Sequence, residues 1–203
     1  MKKIESSLKN MVLTLFLITA FAGAAMGFVF TNTIAKIEEE KMKKDEDAIK
    51  KVVIGFDNNP IADSDTITSQ EGFTLIIYHA KKDGEYIGAA IKTMTKSGFS
   101  GEIKIMVGMK PDGTIINYIV LEHKETPGLG TKMDDWFKTD KGNRSVIGKN
   151  PGNNNLTVNK DGGEVDAITA ATITSRAFLH AVEVAYTTYT QKYDATSSAT
   201  THN

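Results

Sequence analysis

Hydroxyl side chains and small residues are concentrated in the segment 166–175, which reads DAITAATITS. The segment follows a predicted strand and precedes a predicted helix, so its hydroxyls lie where a helix N-cap belongs. A helix N-terminus offers free N–H groups and a positive dipole end, which together favour a phosphate group. Small side chains at Ala170 and Ala171 would let a ligand come close to the backbone. Taken alone, the pattern fits an ordinary helix cap as well as a phosphate site.

A second candidate segment, residues 123–130, reads HKETPGLG and follows another predicted strand. Proline stiffens the backbone and glycine frees it, so the part from 126 onward predicts a turn that can present backbone N–H groups to a ligand. The Leu129 side chain would supply apolar contact, and His123 and Glu125 could adjust the protonation of a bound group. The alternative is a plain connecting loop.

The composition excludes several other kinds of chemistry. The chain has 203 residues and no cysteine, which excludes disulfides, thiolate zinc sites and cysteine-ligated iron–sulfur clusters. Its four histidines are too widely spaced for a local metal motif, and no nucleophile–base pair for substrate chemistry is evident. With 24 basic and 25 acidic residues, the chain lacks the basic character of a nucleic-acid binder. We therefore expect redox chemistry to use an organic cofactor, with no metal and no nucleic acid.

Residues 169–174, TAATIT, resemble the S/T-G-A-T-x-T/S flavinylation motif of FMN-binding domains, with Asp166 at the aspartate position of that motif. This family includes the G subunit of the Rnf electron-transport complex and the C subunit of the sodium-translocating NADH:quinone reductase. The resemblance implies that FMN is joined through its phosphate to the Thr174 hydroxyl. Ala170 departs from the pattern, because the family most often has glycine at that position.

Two further segments carry the same resemblance. The sequence HKETPGLG is similar to the H-x-E-T-P-G-x-G loop of the Rnf G subunit, and GFSG at 98–101 matches its glycine-flanked aromatic loop. The resemblance implies a cofactor site drawn from the two larger motifs, with these residues: Asp166, Thr169, Ala171, Thr172, Thr174, Ser175, Glu125, Thr126, Gly128, Leu129 and Gly130.

Three side chains near these motifs each allow two interpretations. Arg176 could fold back to make a charge-assisted bond to the phosphate, or it could be a solvated residue of the first helical turn. Trp136 and Phe137 could pack near the flavin, although a core or surface anchoring role is the more usual one for such residues.

The elements that position these motifs begin with an apolar segment. No charged residue occurs between Lys9 and Lys36. Twenty helical residues span about 30 Å, the thickness of a bilayer's hydrocarbon core, so residues 11–30 predict one transmembrane helix after a cytoplasmic tail of residues 1–10. A cleaved signal peptide is the alternative, since AGA at 22–24 fits a cleavage site, but the apolar run continues beyond it.

Orientation and the next element follow from charge and composition. Basic residues flank the apolar segment on both sides, whereas a long C-terminal domain is translocated largely regardless of charge. This predicts a domain on the periplasmic side of the bacterial inner membrane. Residues 34–53 lack glycine and proline and contain the i,i+4 pairs Glu40–Lys44 and Glu46–Lys50, which predict a helical stalk over 31–56.

The fold class predicted for residues 57–193 is α+β, with an FMN-binding domain built mainly on an antiparallel sheet. One hairpin pairs 73–80 with 86–93, and another pairs 102–110 with 114–122. Alternation of apolar and polar residues in the third of these strands predicts a sheet that is buried on one face.

The C-terminal part of the chain predicts a small strand pair and a helix. The strands are 155–160 and 164–168, separated by the turn sequence DGG. Apolar residues recur at helical spacing over 175–193, which predicts an amphipathic helix that ends the domain. Residues 194–203 predict a disordered tail.

The resemblance implies an electron-transfer subunit with covalent FMN in a membrane-bound, ion-translocating ferredoxin:NAD⁺ oxidoreductase of the Rnf type. A flavin transferase would load the FMN, and the other membrane and peripheral subunits of the complex would be partners. The alternatives are the C subunit of a sodium-translocating NADH:quinone reductase and an unmodified, membrane-anchored scaffolding or binding module. Flavin that survives denaturing electrophoresis would separate a carrier from a scaffold.

Overall fold

The computed structural model describes the backbone of residues 8–200 and the side chains of residues 8–34 and 36–193. The chain divides into two compact units, of which the first ends at Asp45 and the second begins at Glu46. Three α-helices are present in the described residues: α1 (Leu8–Val52), α2 (Met133–Trp136) and α3 (Thr172–Thr200).

The first unit consists of most of helix α1. The apolar part of α1 has a mean hydropathy of 2.2 and is fully exposed, and by length and composition it can cross a membrane. Its threonine hydroxyls bond within the helix, since Thr14 donates to the Asn10 carbonyl and Thr19 to the Leu15 carbonyl. Such internal bonding is what a polar group in hydrocarbon requires. A signal sequence has the same character, so both sequence-based interpretations fit α1.

The second unit is built on a five-stranded antiparallel sheet whose strands lie in sequence order. The strands are β1 (Ser64–Thr68), β2 (Thr74–Lys82), β3 (Glu85–Gly98), β4 (Gly101–Met109) and β5 (Ile115–Glu122). Both predicted hairpins and the α+β class are confirmed. Strand β1 was not predicted, because its sequence SDTIT is short and polar and forms only an edge of the sheet.

One face of the sheet packs against α3. Alternate residues of β4, such as Ile103, Ile105 and Val107, share this core with Phe178 of α3. The Phe178 ring stacks on Phe137, with ring centroids 4.5 Å apart. The aromatic side chain that follows α2 is therefore part of the core.

The opposite face of the sheet is also covered, which corrects the prediction of a sheet buried on one face. Met106 on this face is buried together with Ile49 and Val52, from the last turns of α1. Gly108 leaves no space there, since a Cβ atom would lie 2.1 Å from the Val52 carbonyl oxygen. The end of the predicted stalk is thus part of the folded domain. Its Glu46–Lys50 ion pair is confirmed, with 2.6 Å between the charged atoms.

The predicted strand pair at 155–160 and 164–168 is wrong. A single parallel bridge joins Val158 to Val165, and a 3₁₀ helix, Asn159–Asp161, occupies the connection. Side chains bond the backbone here instead of a ladder, as when the Asn155 carboxamide oxygen accepts from the Thr157 N–H at 3.2 Å.

Helix α3 begins earlier and ends later than predicted. It starts at Thr172 and continues to Thr200, because no glycine or proline follows Gly163 to interrupt it. The backbone of 194–200, predicted as part of a disordered tail, is therefore helical. The rest of that tail, 201–203, lies outside the described residues, as do residues 1–7 of the predicted N-terminal tail.

Candidate functional site

A cavity of about 310 Å³ lies where three connections of the second unit meet. They are the turn between β3 and β4, the loop that follows β5, and the start of α3. The residues that line the cavity are Phe99, Glu125, Thr126, Leu129, Gly130, Ala170, Ala171, Thr172, Ile173 and Thr174. Each of the three sequence motifs contributes to this lining, although they are far apart along the chain.

The register of the sheet explains why two of these connections are neighbours. Strand β4 starts directly after the 98–101 turn, and Lys104 near its start lies opposite Glu122 at the end of β5. The loop that leaves β5 therefore begins beside that turn. Since α3 packs across the same face, its first turn completes the cavity.

A buried carboxylate connects the three motifs. The Thr174 hydroxyl donates to Glu125 Oε2 at 2.5 Å, and the other oxygen, Oε1, accepts a hydrogen bond from the Ser100 backbone N–H at 2.9 Å. Thr174 is 1% exposed and Glu125 is 4% exposed. The hydroxyl and the carboxylate thus form a buried hydrogen-bonded pair, which the sequence does not reveal because the two residues are separated by 49 positions.

Two glycines make room for this pair. A Cβ atom on Gly130 would lie 2.6 Å from Glu125 Oε2 and 2.9 Å from Thr174 Oγ1. A Cβ atom on Gly98 would lie 2.8 Å from Glu125 Oε1. A side chain at Gly130 would therefore require the carboxylate to move, and one at Gly98 would also meet the Gly101 carbonyl oxygen at 2.3 Å.

The start of α3 is held by Ser175 and by a tight backbone turn. The Ser175 hydroxyl accepts from the Ile168 N–H at 2.9 Å and donates to the Ala171 carbonyl at 3.0 Å. The preceding Ala170 has φ of 62°, a left-handed conformation that glycine adopts most easily. Ser175 is fully buried and holds the helix start, but it does not line the cavity.

The structure brings most of the predicted site residues to the cavity and leaves four away from its lining. Those that line it are Glu125, Thr126, Leu129, Gly130, Ala171, Thr172 and Thr174, and those that do not are Asp166, Thr169, Ser175 and Gly128. The Asp166 carboxylate instead accepts from the Asn143 N–H at 2.9 Å and from the Asn159 side chain at 2.8 Å. It therefore ties loops together behind the motif.

Arg176 bonds to an acidic partner and does not line the cavity. Its Nε and Nη2 atoms donate to the two Asp161 carboxylate oxygens at 2.6 and 2.8 Å. This pairing lowers the pKa of the Asp161 carboxyl below its usual range, with the Arg176 hydrogen bonds as the largest cause. The ion pair ties α3 to the 3₁₀ helix, and no bond from Arg176 toward the cavity is needed to explain its position.

The two aromatic candidates, Trp136 and Phe137, do not line the cavity. Trp136 donates from Nε1 to the Asp166 carbonyl at 2.8 Å, and the Arg144 guanidinium lies 3.7 Å from the centre of its ring. Phe137 belongs to the core, as described above. His123 accepts from the Glu125 N–H at Nδ1, at 3.2 Å, and is not part of the lining.

Sequence reasoning did not assign two large apolar residues to the site. Phe99 and Ile173 line the cavity and remain 67% and 48% exposed. Phe99 lies in the glycine-flanked aromatic loop at 98–101, to which the sequence assigns no role. The signal for Ile173 is an apolar residue between two threonines just before the predicted helix, where polar capping residues are expected.

The chemistry of the lining fits a ligand with a phosphate and a flat aromatic ring. Thr174 and the first-turn N–H groups of α3 are suited to a phosphate. Phe99, Leu129 and Ile173 supply apolar contact. Gly98 and Gly130 carry no side chains, which leaves room for the Glu125 carboxylate beside the Thr174 hydroxyl. These features match the FMN that the sequence resemblance implies.

A known protein family matches the part of the chain that forms the cavity. The family model for the FMN-binding domain matches residues 98–187, which contain all three motifs. The G subunit of the ion-translocating oxidoreductase complex of Vibrio cholerae serotype O1 (strain M66-2) is 33% identical over 181 residues, covering 83% of this chain and 85% of that protein. The chain belongs to the family of ion-translocating oxidoreductase complex G subunits. The corresponding protein of Vibrio atlanticus (strain LGP32) is 38% identical over 183 residues, covering 81% of this chain and 83% of that protein.

A shorter match lies in another genus. The G subunit of Pseudoalteromonas atlantica (strain T6c / ATCC BAA-1087) is 39% identical over 127 residues, covering 61% of this chain and 58% of that protein. Membership of the G-subunit family favours the first of the functions considered from sequence over the C subunit of a quinone reductase.

Proposed function

We propose that this chain is the FMN-carrying electron-transfer subunit of an ion-translocating oxidoreductase complex of the Rnf type, with FMN esterified to Thr174. The observation that carries the proposal is the position of Thr174, which lines a cavity together with residues of all three motifs. When bound, FMN supplies one- and two-electron redox chemistry. The chain's own residues hold that group and shield it.

Each part of the cavity has a distinct task in this proposal. Thr174 Oγ1 holds the phosphate, and the N–H groups of the first turn of α3 face its negative charge. Phe99, Leu129 and Ile173 provide the apolar surface for a ring. Thr172 and Thr126 add hydroxyl groups to the same lining. A covalent link suits an exported domain, because a dissociated flavin would be lost by dilution outside the cytoplasm.

Membrane attachment and partners follow from the rest of the chain. We infer that the apolar part of α1 anchors the protein in the bacterial inner membrane, with the domain on the periplasmic side. A flavin transferase would use FAD as donor and release AMP. The other membrane and peripheral subunits would exchange electrons with this one and provide the ion path, so the chain acts as a subunit of a translocase.

Co-expression with a flavin transferase tests the proposal. We expect the full chain to show flavin fluorescence that survives denaturing electrophoresis, and we expect Thr174→Ala to abolish it, because the acceptor oxygen is gone. Thr187→Ala is the matched control, since Thr187 is an exposed threonine on α3 that does not line the cavity. A fluorescent Thr174→Ala band, or a dark wild-type band, would contradict covalent attachment at Thr174. The dark wild-type band is the outcome that the scaffolding alternative predicts.

A further inference from the structure

The pair formed by Thr174 and Glu125 has the geometry of a nucleophile and its base. We propose that Glu125 accepts the Thr174 hydroxyl proton when the flavin phosphate is transferred, so that the acceptor protein supplies the base for its own modification. This inference rests on the proposed function, because it concerns the reaction that loads Thr174.

The first support is distance and orientation. Glu125 Oε2 accepts the Thr174 hydroxyl hydrogen bond at 2.5 Å, within the reach expected of a nucleophile and its base. The Ser100 N–H holds the other carboxylate oxygen at 2.9 Å. A third group therefore orients the base, as in other activated hydroxyl nucleophiles.

The second support is the electrostatic setting of the carboxylate. Glu125 is 4% exposed, and in the described part of the chain it forms no ion pair with a lysine, arginine or histidine. A buried carboxylate is usually paired with a cation, and this one has instead the Thr174 hydroxyl and the Ser100 N–H as partners. Among the described residues, no cation therefore competes with the Thr174 hydroxyl for this carboxylate.

The third support is the space around the pair. Side chains at Gly98 and Gly130 would each collide with a Glu125 carboxylate oxygen. Both glycines thus leave room for the carboxylate in its position beside Thr174. Both also belong to the motifs that line the cavity, so the room for Glu125 is part of the same site.

The chemical balance of the step is complete. Thr174 Oγ1 forms a bond to the FMN-side phosphorus of FAD, the bond between that phosphorus and the bridging oxygen breaks, and AMP leaves with the bonding electrons. The hydroxyl proton passes to Glu125 Oε2, and nothing is oxidised or reduced. A neutral carboxyl then lies beside the new phosphodiester anion. The site therefore carries one negative charge before FAD binds and one after AMP leaves, and the loaded product does not hold a carboxylate against the phosphodiester.

Steady-state transfer kinetics test the proposal with the flavin-free full chain in detergent, a purified flavin transferase and FAD. Glu125→Gln keeps the shape of the side chain and an oxygen for the Ser100 N–H, but its amide cannot take the proton. We expect kcat to fall about 100-fold, the size of a general-base contribution, while KM for the chain stays within about threefold. Glu125→Asp keeps a carboxylate that is one methylene shorter, and it should recover about tenfold of the lost rate.

The matched control is Glu122→Gln. Glu122 is a carboxylate three residues away at the end of β5, paired with Lys104 at 2.7 Å, and its neutralisation should leave both kinetic constants unchanged. Circular dichroism and thermal unfolding check that each variant is folded. If Glu125→Gln fails to fold, Glu125→Asp decides: a lowered kcat at unchanged KM supports the base, and a wild-type kcat overturns it.

Two outcomes contradict a base role for Glu125. One is a Glu125→Gln kcat within about threefold of wild type, and the other is a loss confined to KM, which indicates docking of the transferase. Thr174→Ala in the same assay separates this failure from failure of the proposed function. Flavin transfer to Thr174→Ala, or none to the wild type, refutes covalent loading at Thr174. Normal transfer to Glu125→Gln with none to Thr174→Ala refutes only the base.

Discussion

Ala170 adopts a left-handed backbone conformation, with φ of 62°, two residues before α3 begins. Steric repulsion disfavours a Cβ atom in this conformation, and glycine adopts it without that cost. The flavinylation motif most often has glycine at this position, so the backbone gives a physical reason for that preference. Ala170 also lines the cavity, and its methyl group lies where a ligand would approach the backbone.

We predict that Ala170→Gly stabilises the protein by about 0.5–1 kcal/mol, because it relieves the left-handed strain at the start of α3. Flavin loading should be at least as efficient as in the wild type. Urea unfolding of the full chain in detergent measures the effect. Ala181→Gly, inside α3, is the control and should destabilise by about 1 kcal/mol or more. Destabilisation by Ala170→Gly would show that the left-handed turn is not strained.

Strand β3 places an unpaired polar group inside the core. Alternation places Thr93 and Thr95 on the same face as Ala89 and Ile91, which pack toward α3. The Thr95 hydroxyl accepts from the Ser97 N–H at 3.2 Å. The Thr93 hydroxyl is buried and, among the described residues, has no hydrogen-bond partner. The strand therefore contains one satisfied threonine and one unsatisfied threonine, two positions apart.

We predict that Thr93→Val stabilises the domain by about 1 kcal/mol, because valine has the same shape and removes an unpaired buried hydroxyl. Thr95→Val is the matched control and should destabilise the domain, since it leaves the Ser97 N–H without its acceptor. Thermal unfolding of both variants measures the difference. Equal destabilisation by the two substitutions would be inconsistent with an unpaired Thr93 hydroxyl.

At the scale of the whole molecule, the sequence predicts the apolar helix and the two hairpins, which depend on local patterns. The uncharged run indicates the apolar helix, and the turn sequences at 82–84 and 111–113 indicate the two hairpins. The predicted site residues that do line the cavity could be identified from the sequence because they belong to two family motifs.

Features that depend on distant contacts could not be predicted in this way. The Glu125–Thr174 hydrogen bond joins residues 49 positions apart, and no local pattern reports it. The covering of the second sheet face by Ile49 depends on where α1 ends against β4. Arg176 adjoins the motif in sequence, yet its position depends on its ion pair with Asp161. The sequence instead predicts Asp161 in the turn of a strand pair that does not form.

The anchor gives a prediction for the entire chain. We expect the mature protein to retain residues 11–30 and to remain in the membrane fraction after an alkaline carbonate wash, because a helix of that length and apolarity spans the hydrocarbon core. Intact mass spectrometry measures which residues remain. A soluble exported chain that begins after residue 24 would instead identify a cleaved signal peptide.

The central claim is that Thr174 carries FMN, and tandem mass spectrometry of one peptide tests it most directly. Trypsin cuts after Lys160 and Arg176 and so releases residues 161–176, which contain every hydroxyl of the TAATIT motif. For protein loaded by the transferase, we predict a peptide heavier by one FMN less one water, with fragment ions that assign the added mass to Thr174. A peptide without flavin, or fragments that assign the flavin to Thr172 or another hydroxyl, would contradict the claim.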